Sequence, residues 1–388
     1  MKDRYDLIVV GAGPGGSIAA RRAAEGGLDV LLAERKNLIG LPVRCAEGVS
    51  AAGLKEFIEP SPRWIAAEMS GASLYSPDGT RVDISVPGDG YVLERAVFDR
   101  ELALQAARAG ADILLGGLVQ ELVLRGRSVA GIVIRDGLSG SRIAADIVIA
   151  ADGVESRLAR LAGIDTLSSL HDLETCYQYG LVDSGFNPDR IELFFGKEIA
   201  PGGYAWTFAK GEHLANVGLG ITGEYARKRS PKSYLDRFVR TRYPEAEIVY
   251  RVGGGVPLGR SPKRLAAPGF MVVGDAARQV NPMSGSGIIN AMIAGKLAGE
   301  TAVAAARAGD FGSRFLSDYQ KRWHKRIGRS LLRFYRLKEA IGRLSDDTLN
   351  DVARLLNDLK PEQRTLLRAF SLALRDHPKL ILELRHLF

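Results

Sequence analysis

The sequence predicts an α/β fold, α+β overall, in which a parallel-sheet domain, an antiparallel-sheet domain and a C-terminal helical region are combined. Three observations lead to this prediction. A glycine-rich turn joins a buried strand to a helix near the start of the chain. Residues 172–255 contain aromatic and β-branched runs bounded by Gly and Pro, which is typical of antiparallel strands. A third stretch, at 269–295, again joins an apolar strand to a helix through glycines.

The first glycine-rich turn has the pattern of a dinucleotide-binding site. Gly11, Gly13 and Gly16 follow an apolar strand in G-x-G-x-x-G spacing and lead into a helix. The first glycine permits a tight turn, the second lets the backbone approach a pyrophosphate, and the third lets the helix pack on the strand. Glu34 ends the next strand, where a carboxylate accepts hydrogen bonds from ribose hydroxyls. Because these features occur together and in order, the sequence predicts a Rossmann-type domain.

Two further strand ends extend the predicted nucleotide site. Asp152 and Gly153 follow one apolar strand, and Asp275 follows another. Carboxylates at the ends of parallel strands face the ligand crevice of such sheets. Gly287 then begins a helix at Ile288, whose amino terminus can face an anion. Since this segment returns to the first domain, that domain is expected to be discontinuous.

The composition limits the class of protein. At 388 residues the chain is long enough for two or three domains, and a hydrophobic content of 46% is ordinary for a water-soluble protein. We expect no signal peptide before the first strand and no membrane span, and therefore a cytoplasmic location. Two cysteines, Cys45 and Cys176, are too few for a disulfide framework or a metal cluster.

Several single residues have two interpretations each. Cys45 lies in a loop beyond the second strand, either as a small buried thiol or as part of the site. Arg95 precedes a helix, either as a solvated surface residue or as a cation for a phosphate or ribityl group. Tyr204, Trp206 and Phe208 are two residues apart and share one face of a strand, which is either core or an apolar wall for a substrate.

Together, the glycine motif with Glu34, the Ala-Asp-Gly at 151–153 and the stretch 274–288 resemble the FAD-dependent para-hydroxybenzoate hydroxylase superfamily. Within it, three segments resemble the geranylgeranyl reductase family: Arg44-Cys-Ala-Glu-Gly48, Pro201…Tyr204-Ala-Trp206 and Pro282-Met-Ser-Gly-Ser-Gly287. They are similar in particular to archaeal enzymes of the digeranylgeranylglycerophospholipid reductase type, which saturate isoprenoid chains of membrane lipids. The similarity covers residues 5–305 and has one departure, Ala209-Lys210, where a proline is expected after Phe208.

The resemblance implies FAD as the cofactor and an oxidoreductase acting on CH–CH groups. It implies reduction of C=C double bonds of geranylgeranyl chains in archaeal membrane lipid precursors, by a hydride from reduced flavin plus a proton. Cys45 is implied at the reacting centre, and Tyr204 and Trp206 at the substrate. The implied FAD contacts are Gly11, Gly13, Gly15, Gly16, Glu34, Cys45, Ala46, Gly48, Arg95, Val119, Asp152, Asp275, Gly287 and Ile288.

Two other functions compete with this one. The first is an FAD-dependent aromatic or prenyl monooxygenase, which shares the Asp-Gly motif at 152–153. The second is an FAD dehydrogenase that passes electrons to a quinone, but two cysteines cannot supply the four ligands of an iron–sulfur module. The prenyl reductase and the dehydrogenase would each need an external electron donor. The sequence does not decide between a ferredoxin, a deazaflavin and a nicotinamide nucleotide as that donor.

The sequence also predicts domain boundaries. The discontinuous FAD-binding domain is expected at 1–69, 93–165 and 256–310. The antiparallel-sheet substrate domain is expected at 70–92 and 166–255, with turns at 76–79 and 87–90. Residues 311–388 are expected to form the C-terminal helical region.

One segment of that region, 321–344, carries much of the positive charge. Apolar residues recur there every three or four positions, which predicts a helical stripe: Trp323, Ile327, Leu331, Phe334, Leu337, Ile341 and Leu344. Basic residues stand between them, against the single acid Glu339: Lys321, Arg322, Lys325, Arg326, Arg329, Arg333, Arg336, Lys338 and Arg343. The segment is either a helix packed on the FAD domain or a peripheral contact with anionic membrane. Nucleic acid is not expected as a partner, because no other part of the chain resembles a nucleic-acid module.

Overall fold

A computed structural model describes residues 2–136, 139–183, 185–364, 368 and 372. The strands are β1 (Arg4–Val10), β2 (Val30–Glu34), β3 (Gly48–Ser50), β4 (Ile65–Tyr75), β5 (Arg81–Leu93), β6 (Asp112–Leu115), β7 (Leu118–Arg125), β8 (Ser128–Asp136), β9 (Ser139–Ala150), β10 (Leu173–Val182), β11 (Arg190–Phe194), β12 (Tyr204–Ala209), β13 (Leu214–Thr222), β14 (Glu247–Pro257), β15 (Ala266–Ala267) and β16 (Phe270–Val272). The helices are α1 (Pro14–Glu25), α2 (Ala51–Lys55), α3 (Arg95–Arg108), α4 (Arg157–Leu161), α5 (Gly223–Ala226), α6 (Pro231–Arg242), α7 (Ile288–Ala308), α8 (Ser313–Trp323), α9 (Arg329–Ile341) and α10 (Asp346–Asn357).

The chain divides into two compact units, each formed by three segments. Unit 1 comprises Met1–Val43, Arg95–Ser168 and Pro257–Leu332, and unit 2 comprises Arg44–Glu94, Ser169–Val256 and Arg333–Phe388. This division differs from the expected boundaries at 44–69, which belong to unit 2, because β3 and β4 pair within its sheet. It also differs at the C-terminal region, which the division splits within α9.

Unit 1 is built on a mainly parallel sheet. Its strand order is β6-β2-β1-β9-β16-β15, in which the first five strands run parallel to their neighbours. The short strands β7 and β8 extend it as an antiparallel ladder from β9. The central strand β1 is almost continuously apolar and buried at Leu7, Ile8 and Val9, as expected of a parallel strand covered on both faces. The predicted Rossmann-type α/β domain is therefore confirmed.

Helices α1 and α7 pack closely against each other in unit 1. A Cβ at Gly295 would collide with the backbone of Gly15, and one at Gly299 would stand 2.6 Å from the carbonyl oxygen of Ala19. Glycine at these positions thus allows the two helices to approach at backbone distance. Helix α7 is long and apolar enough to cross a membrane, but 72% of the qualifying stretch is buried inside the protein. It therefore has the burial of a core helix.

Unit 2 is built on the predicted antiparallel sheet. The strand order is β14-β10-β13-β12-β11-β4-β5-β3. β11 and β4 run parallel, whereas the pairs β10–β13, β13–β12, β12–β11, β4–β5 and β5–β3 are antiparallel. The predicted turn at 76–79 is present, since the Gly79 amide donates to the Ser76 carbonyl. The second predicted turn, at 87–90, lies within β5, where the pairing with β4 is irregular. Gly71 pairs with Ser85 and Met69 with Gly90, so residues 86–89 have no partner on β4 in the described part of the chain and the ladder shifts register at the predicted turn.

One face of this sheet forms the core of unit 2. Alternate residues of β10, β12 and β13, including Tyr179, Ala205 and Val217, pack there against helix α6, which contributes Leu235. The period of two places the intervening residues of the same strands on the opposite face. That second face carries the predicted substrate residues, and it is described with the candidate site below.

The C-terminal segment departs from a single continuous helical stripe. Helix α8 ends at Trp323, a π-helical turn follows over His324–Gly328, and α9 then begins. The π turn changes the phase of the apolar pattern between the two helices. Trp323, Leu331, Leu337 and Leu344 are buried, whereas Phe334 is exposed. The stripe therefore points mainly into the protein, and the basic residues lie on the exposed side.

Candidate functional site

The three glycine-containing strand ends of unit 1 lie side by side. In the ladder, Val10 of β1 is paired with Ala33 of β2 and with Ala150 of β9, and Ala150 is paired in turn with Val272 of β16. These four strands run parallel, so their carboxyl ends meet at one edge of the sheet. The turns that begin at Gly11, Asp152 and Gly274 are thereby brought together, as the motif spacing predicts.

The glycine turn after β1 leaves space where a ligand could approach. Gly11 has a φ of 105°, which favours glycine, and a Cβ at Gly16 would collide with the Gly11 carbonyl oxygen. A Cβ at Gly13 would meet nothing within 4 Å. No side chain in the described residues caps the amino terminus of α1, where Gly13 is the N-cap. Its amide groups are therefore available to an anion.

Glu34 is buried and already serves the glycine turn. Its carboxylate accepts a hydrogen bond from the Ala12 amide at 2.9 Å and one from the Lys36 amide at 3.0 Å. Each carboxylate oxygen has a second lone pair, so ribose hydroxyls remain possible donors. The acid that the sequence selects as a ribose ligand thus also fixes the turn to which the diphosphate would bind.

Two carboxyl groups of the strand ends are half-buried. Burial raises the pKa of Asp152, whose Oδ2 accepts from the Leu158 amide at 3.0 Å and whose buried Oδ1 has no partner in the described part of the chain. Burial also raises the pKa of Asp275, and the nearby Arg95 opposes that rise. A Cβ at Gly287 would stand 3.3 Å from Asp275 Oδ1, so this carboxyl group lies at the start of α7.

Arg95 and Val119 have structural partners of their own. The Arg95 guanidinium forms a two-point ion pair with Asp99, at 2.7 and 2.8 Å, in a largely buried setting. Arg95 is therefore not a solvated surface residue, because it forms an ion pair within α3. Its positive charge also opposes the rise that burial causes in the pKa of Asp275. Val119 is buried in β7.

These features of unit 1 suit the cofactor that the motifs imply. Open space stands at Gly13, and the N-terminus of α7 at Gly287, like that of α1, has no side-chain cap in the described residues. Uncapped helix amino termini suit a diphosphate and a ring that carries negative charge. The orphaned oxygen of Asp152 and the carboxyl group of Asp275 suit hydroxyl donors. The residues of unit 1 therefore fit FAD.

The second candidate site lies on the face of the unit 2 sheet opposite its core. In register, Cys176 of β10 is paired with Gly220 of β13, and Gly220 with Tyr204 of β12. The next row on this face contains Gln178 of β10, Gly218 of β13 and Trp206 of β12. Because the central strand offers only glycine in these rows, side chains of its neighbours lie over it: Trp206 over Gly218, and Glu174 and Cys176 over Gly220. We call this glycine strip with its flanking side chains the groove.

The loop that carries Cys45 is tied to this groove. The Gln178 amide donates a hydrogen bond to the Cys45 carbonyl at 3.1 Å and accepts one from the Trp206 indole at 3.1 Å. The Cys45 thiol is half-buried and accepts from the Glu47 amide at 3.2 Å, and its field raises the pKa of Cys176 and Tyr204 as a minor cause after burial. The structure thus brings Cys45, Tyr204 and Trp206 together.

Sequence reasoning missed a buried ion pair beneath this loop. Lys210 and Glu47 are almost fully buried and lie 2.7 Å apart, and Asn216 donates a further hydrogen bond of 2.6 Å to the same carboxylate. Lys210 Nζ also lies 3.0 Å from Oε2 of a second carboxylate, that of Glu94. Lys210 belongs to the Ala209-Lys210 pair in which the sequence departs from the family pattern, and it follows Ala209, which stands in the place of the expected proline. Directly after β12, this lysine holds the Cys45 loop through Glu47.

Comparisons with known proteins define the class first. A family model described as FAD dependent oxidoreductase matches residues 6–178, and one described as Geranylgeranyl reductase catalytic domain matches residues 172–256. The chain is an FAD-dependent oxidoreductase on these matches. Among solved structures, it is similar over its whole length to a geranylgeranyl bacteriochlorophyll reductase-like protein of Thermoplasma acidophilum, with 35% identity and a TM-score of 0.94, and it covers 100% of that chain.

Curated relatives then define the family. The chain is 49% identical to a digeranylgeranylglycerophospholipid reductase of Methanothrix thermoacetophila, with 99% of each chain covered. It is 45% identical to the enzyme of the same name from Methanosarcina mazei, with 100% of this chain and 97% of the relative covered. The chain therefore belongs to the geranylgeranyl reductase family. A flavin-dependent brominase, at 17% identity and a TM-score of 0.71, shares the fold.

Proposed function

We propose that this protein is an FAD-dependent reductase that saturates C=C double bonds of geranylgeranyl chains in a digeranylgeranylglycerophospholipid. The observation that carries the proposal is the full-length identity of 40–49% to curated enzymes of that name. The groove of unit 2 supports it, because its glycine floor and its Tyr204 and Trp206 wall lie within the segment that matches the catalytic domain. An aromatic-walled groove suits an apolar chain and any cationic character that develops on it.

The substrate determines what the residues must do. An isolated alkene has no carbonyl to accept charge, so saturation needs a hydride at one carbon and a proton at the other. Bound reduced FAD supplies the hydride. The side chains of unit 2 bind the prenyl chain, exclude water and provide the proton. We place Tyr204 and Trp206 at the substrate, and Cys45 at the reacting centre.

The FAD contacts of unit 1 are proposed in the same way. Gly11, Gly13, Gly15 and Gly16 would hold the diphosphate at the start of α1, and Glu34 the adenosine ribose. The ribityl chain and the ring would be held by the remaining polar groups: the side chains of Arg95, Asp152 and Asp275 and the backbone of Gly287 and Ile288. Val119 would pack beside them, and Ala46 and Gly48 of the Cys45 loop would approach the flavin.

Mass spectrometry of the lipid product tests the function. After anaerobic incubation of dithionite-reduced protein with a geranylgeranylated glycerophospholipid, we expect products heavier by successive pairs of hydrogens. Cys45→Ser is the accompanying variant, with FAD retained and saturation slowed. Unchanged lipid, together with oxygen-dependent hydroxylation of another compound, would instead identify a monooxygenase. Full saturation by Cys45→Ser would remove this thiol from the mechanism. The same assay, with dithionite replaced in turn by ferredoxin, deazaflavin and nicotinamide donors, identifies the external donor.

A second proposal concerns the membrane. Arg329, Arg333 and Arg336 are exposed on α9 at positions i, i+4 and i+7, so they share one face of the helix. Leu332 lies on the same face and is exposed as well. Cations around an exposed apolar side chain are typical of peripheral contact with anionic headgroups. Since each such cation contributes about 1 kcal/mol near an anionic bilayer, three suffice for salt-sensitive binding.

Liposome sedimentation measures this contact. The protein is expected to sediment with anionic liposomes at low salt, to be released at high salt, and to remain in solution with neutral liposomes. The Arg329→Gln/Arg333→Gln/Arg336→Gln variant should lose this binding and keep its FAD spectrum. Its matched control removes the same charge elsewhere, at the exposed Arg125, Arg127 and Lys228. Equal sedimentation of the two triple variants would argue against a membrane role for α9.

A further inference from the structure

Glu174 is an acid placed at the end of the groove. It lies on β10 two residues before Cys176, and therefore on the same face of the sheet. Its carboxylate oxygens stand 2.7 Å from the points that a Cβ would occupy at Gly203 and at Gly220. The carboxyl group thus extends over the glycine floor, between Cys176 on its own strand and Tyr204 on β12. Glu174 is not one of the cofactor or substrate residues described above.

The surroundings of Glu174 are unusual for a carboxyl group. It is 7% exposed. Burial raises its pKa to about 7, against a weaker attraction to Lys338 of α9. The other titratable groups that face it are the Cys176 thiol, the Tyr204 hydroxyl and the Cys45 thiol of the loop. Burying a carboxyl group costs free energy, so its retention at this place calls for a function.

We propose that Glu174 is the general acid that protonates the alkene. This assignment rests on the proposed function and names the catalytic residue that supplies the proton. The Glu174 O–H bond breaks, its electron pair stays on the carboxylate, and the π pair of the alkene forms the new C–H bond. The other alkene carbon receives the hydride, so two electrons pass from reduced FAD to the lipid. Solvent then reprotonates the carboxylate.

The neighbouring groups are poorer donors. Burial raises the pKa of Tyr204 well above its ordinary value, and the same cause acts on Cys176. A general acid must hold its proton at the working pH and also release it, which is most efficient when its pKa lies near that pH. Of Glu174, Tyr204 and Cys176, Glu174 is the one that meets both conditions.

A single-turnover experiment with reduced holoenzyme tests the assignment. Glu174→Gln keeps the shape but cannot donate the proton, so we expect saturation at least about 100-fold slower, with FAD content and lipid binding unchanged. In the wild type the rate should fall as the pH rises through about 7. The matched control is Glu192→Gln. This second buried glutamate accepts from Tyr75 and Tyr243 on the core face of the same sheet, and its replacement should leave the rate unchanged.

Thermal unfolding gives a readout that does not depend on turnover. The pKa of Glu174 is higher in the folded chain than in the unfolded one, so the folded state binds more protons between pH 4.5 and about 7. Stability that this group contributes is therefore lost as the pH rises through that range. The Tm of Glu174→Gln relative to the wild type should rise over the same interval and be constant above it. A Tm difference independent of pH would contradict a protonated buried acid.

The outcomes separate this inference from the proposed function. Wild-type protein that saturates the lipid, with Glu174→Gln equally fast, would overturn the assignment and leave the function standing. Wild-type protein that saturates no lipid would overturn both. If Glu174→Gln does not fold, Glu174→Asp decides, since it keeps the acid but withdraws it by one methylene. It should be slower with the pH dependence retained, and an unchanged rate would overturn the assignment.

Discussion

Gly16→Ala is expected to unfold or severely destabilise unit 1, and to abolish FAD binding as a result. A Cβ at this position would collide with the carbonyl oxygen of Gly11 and press on Ala151, and both belong to turns that close the sheet edge. Backbone cannot yield as a flexible side chain does, so we expect a loss of about 3 kcal/mol or more in the free energy of unfolding. Urea unfolding and flavin content of the purified protein measure the two effects.

Gly13→Ala is the control that separates an effect on FAD binding from an effect on folding. A Cβ there meets nothing within 4 Å, and the residue has an ordinary negative φ of −74°. The free energy of unfolding without FAD should therefore change by no more than about 1 kcal/mol. FAD affinity should nevertheless fall at least about tenfold, because the methyl group occupies the approach to the diphosphate. Similar behaviour of the two variants would refute these separate roles.

Lys210→Met is expected to lower the free energy of unfolding by about 3–5 kcal/mol, because it leaves the buried carboxylate of Glu47 without its cation. Asn216 remains as one donor to that carboxylate, but a neutral amide does not offset a buried charge. The Cys45 loop should also loosen, since Glu47 lies within it. Urea unfolding and the rate of thiol modification at Cys45 measure stability and loop opening.

Two further variants check the cause. The exposed pair of Lys232 and Asp236 is also 2.7 Å apart, so Lys232→Met should cost less than about 1 kcal/mol. The double variant Lys210→Met/Glu47→Gln removes both charges and should recover much of the loss. If Lys210→Met costs no more than Lys232→Met, the buried pair does not hold the loop.

The nucleotide half of the protein could be predicted because its information is local. A strand, three glycines and a helix lie within a few residues of one another, and the acid that follows ends the very next strand. The strand ends at Asp152 and Asp275 could be added because parallel strands share one carboxyl edge. At Gly11 the positive φ favours glycine, and at Gly16 the close approach of the Gly11 carbonyl oxygen leaves no space for a Cβ.

The rest depends on pairing between distant segments. The division at 44–69 differs from the expected one because the pairing of β3 and β4 with β5 cannot be recognised within either strand alone. Lys210 and Glu174 were missed because charged side chains are ordinarily exposed, and their burial arises only when β10, β12 and β13 assemble. A usable signal did exist in the alternation of glycine at 218 and 220.

The side chain of Gln178 couples two parts of the catalytic unit that engineers would wish to alter separately. Its two hydrogen bonds join the Trp206 indole to the Cys45 carbonyl, so the aromatic wall and the cysteine loop share one tether. Replacing Trp206 to fit a bulkier or shorter prenyl chain would remove the hydrogen bond from the indole to Gln178. Gln178 would then keep only its hydrogen bond to the Cys45 carbonyl. Under the proposed function, substrate scope and loop geometry are therefore coupled. A practical redesign would begin at Tyr204, which shares the wall and lies outside that tether.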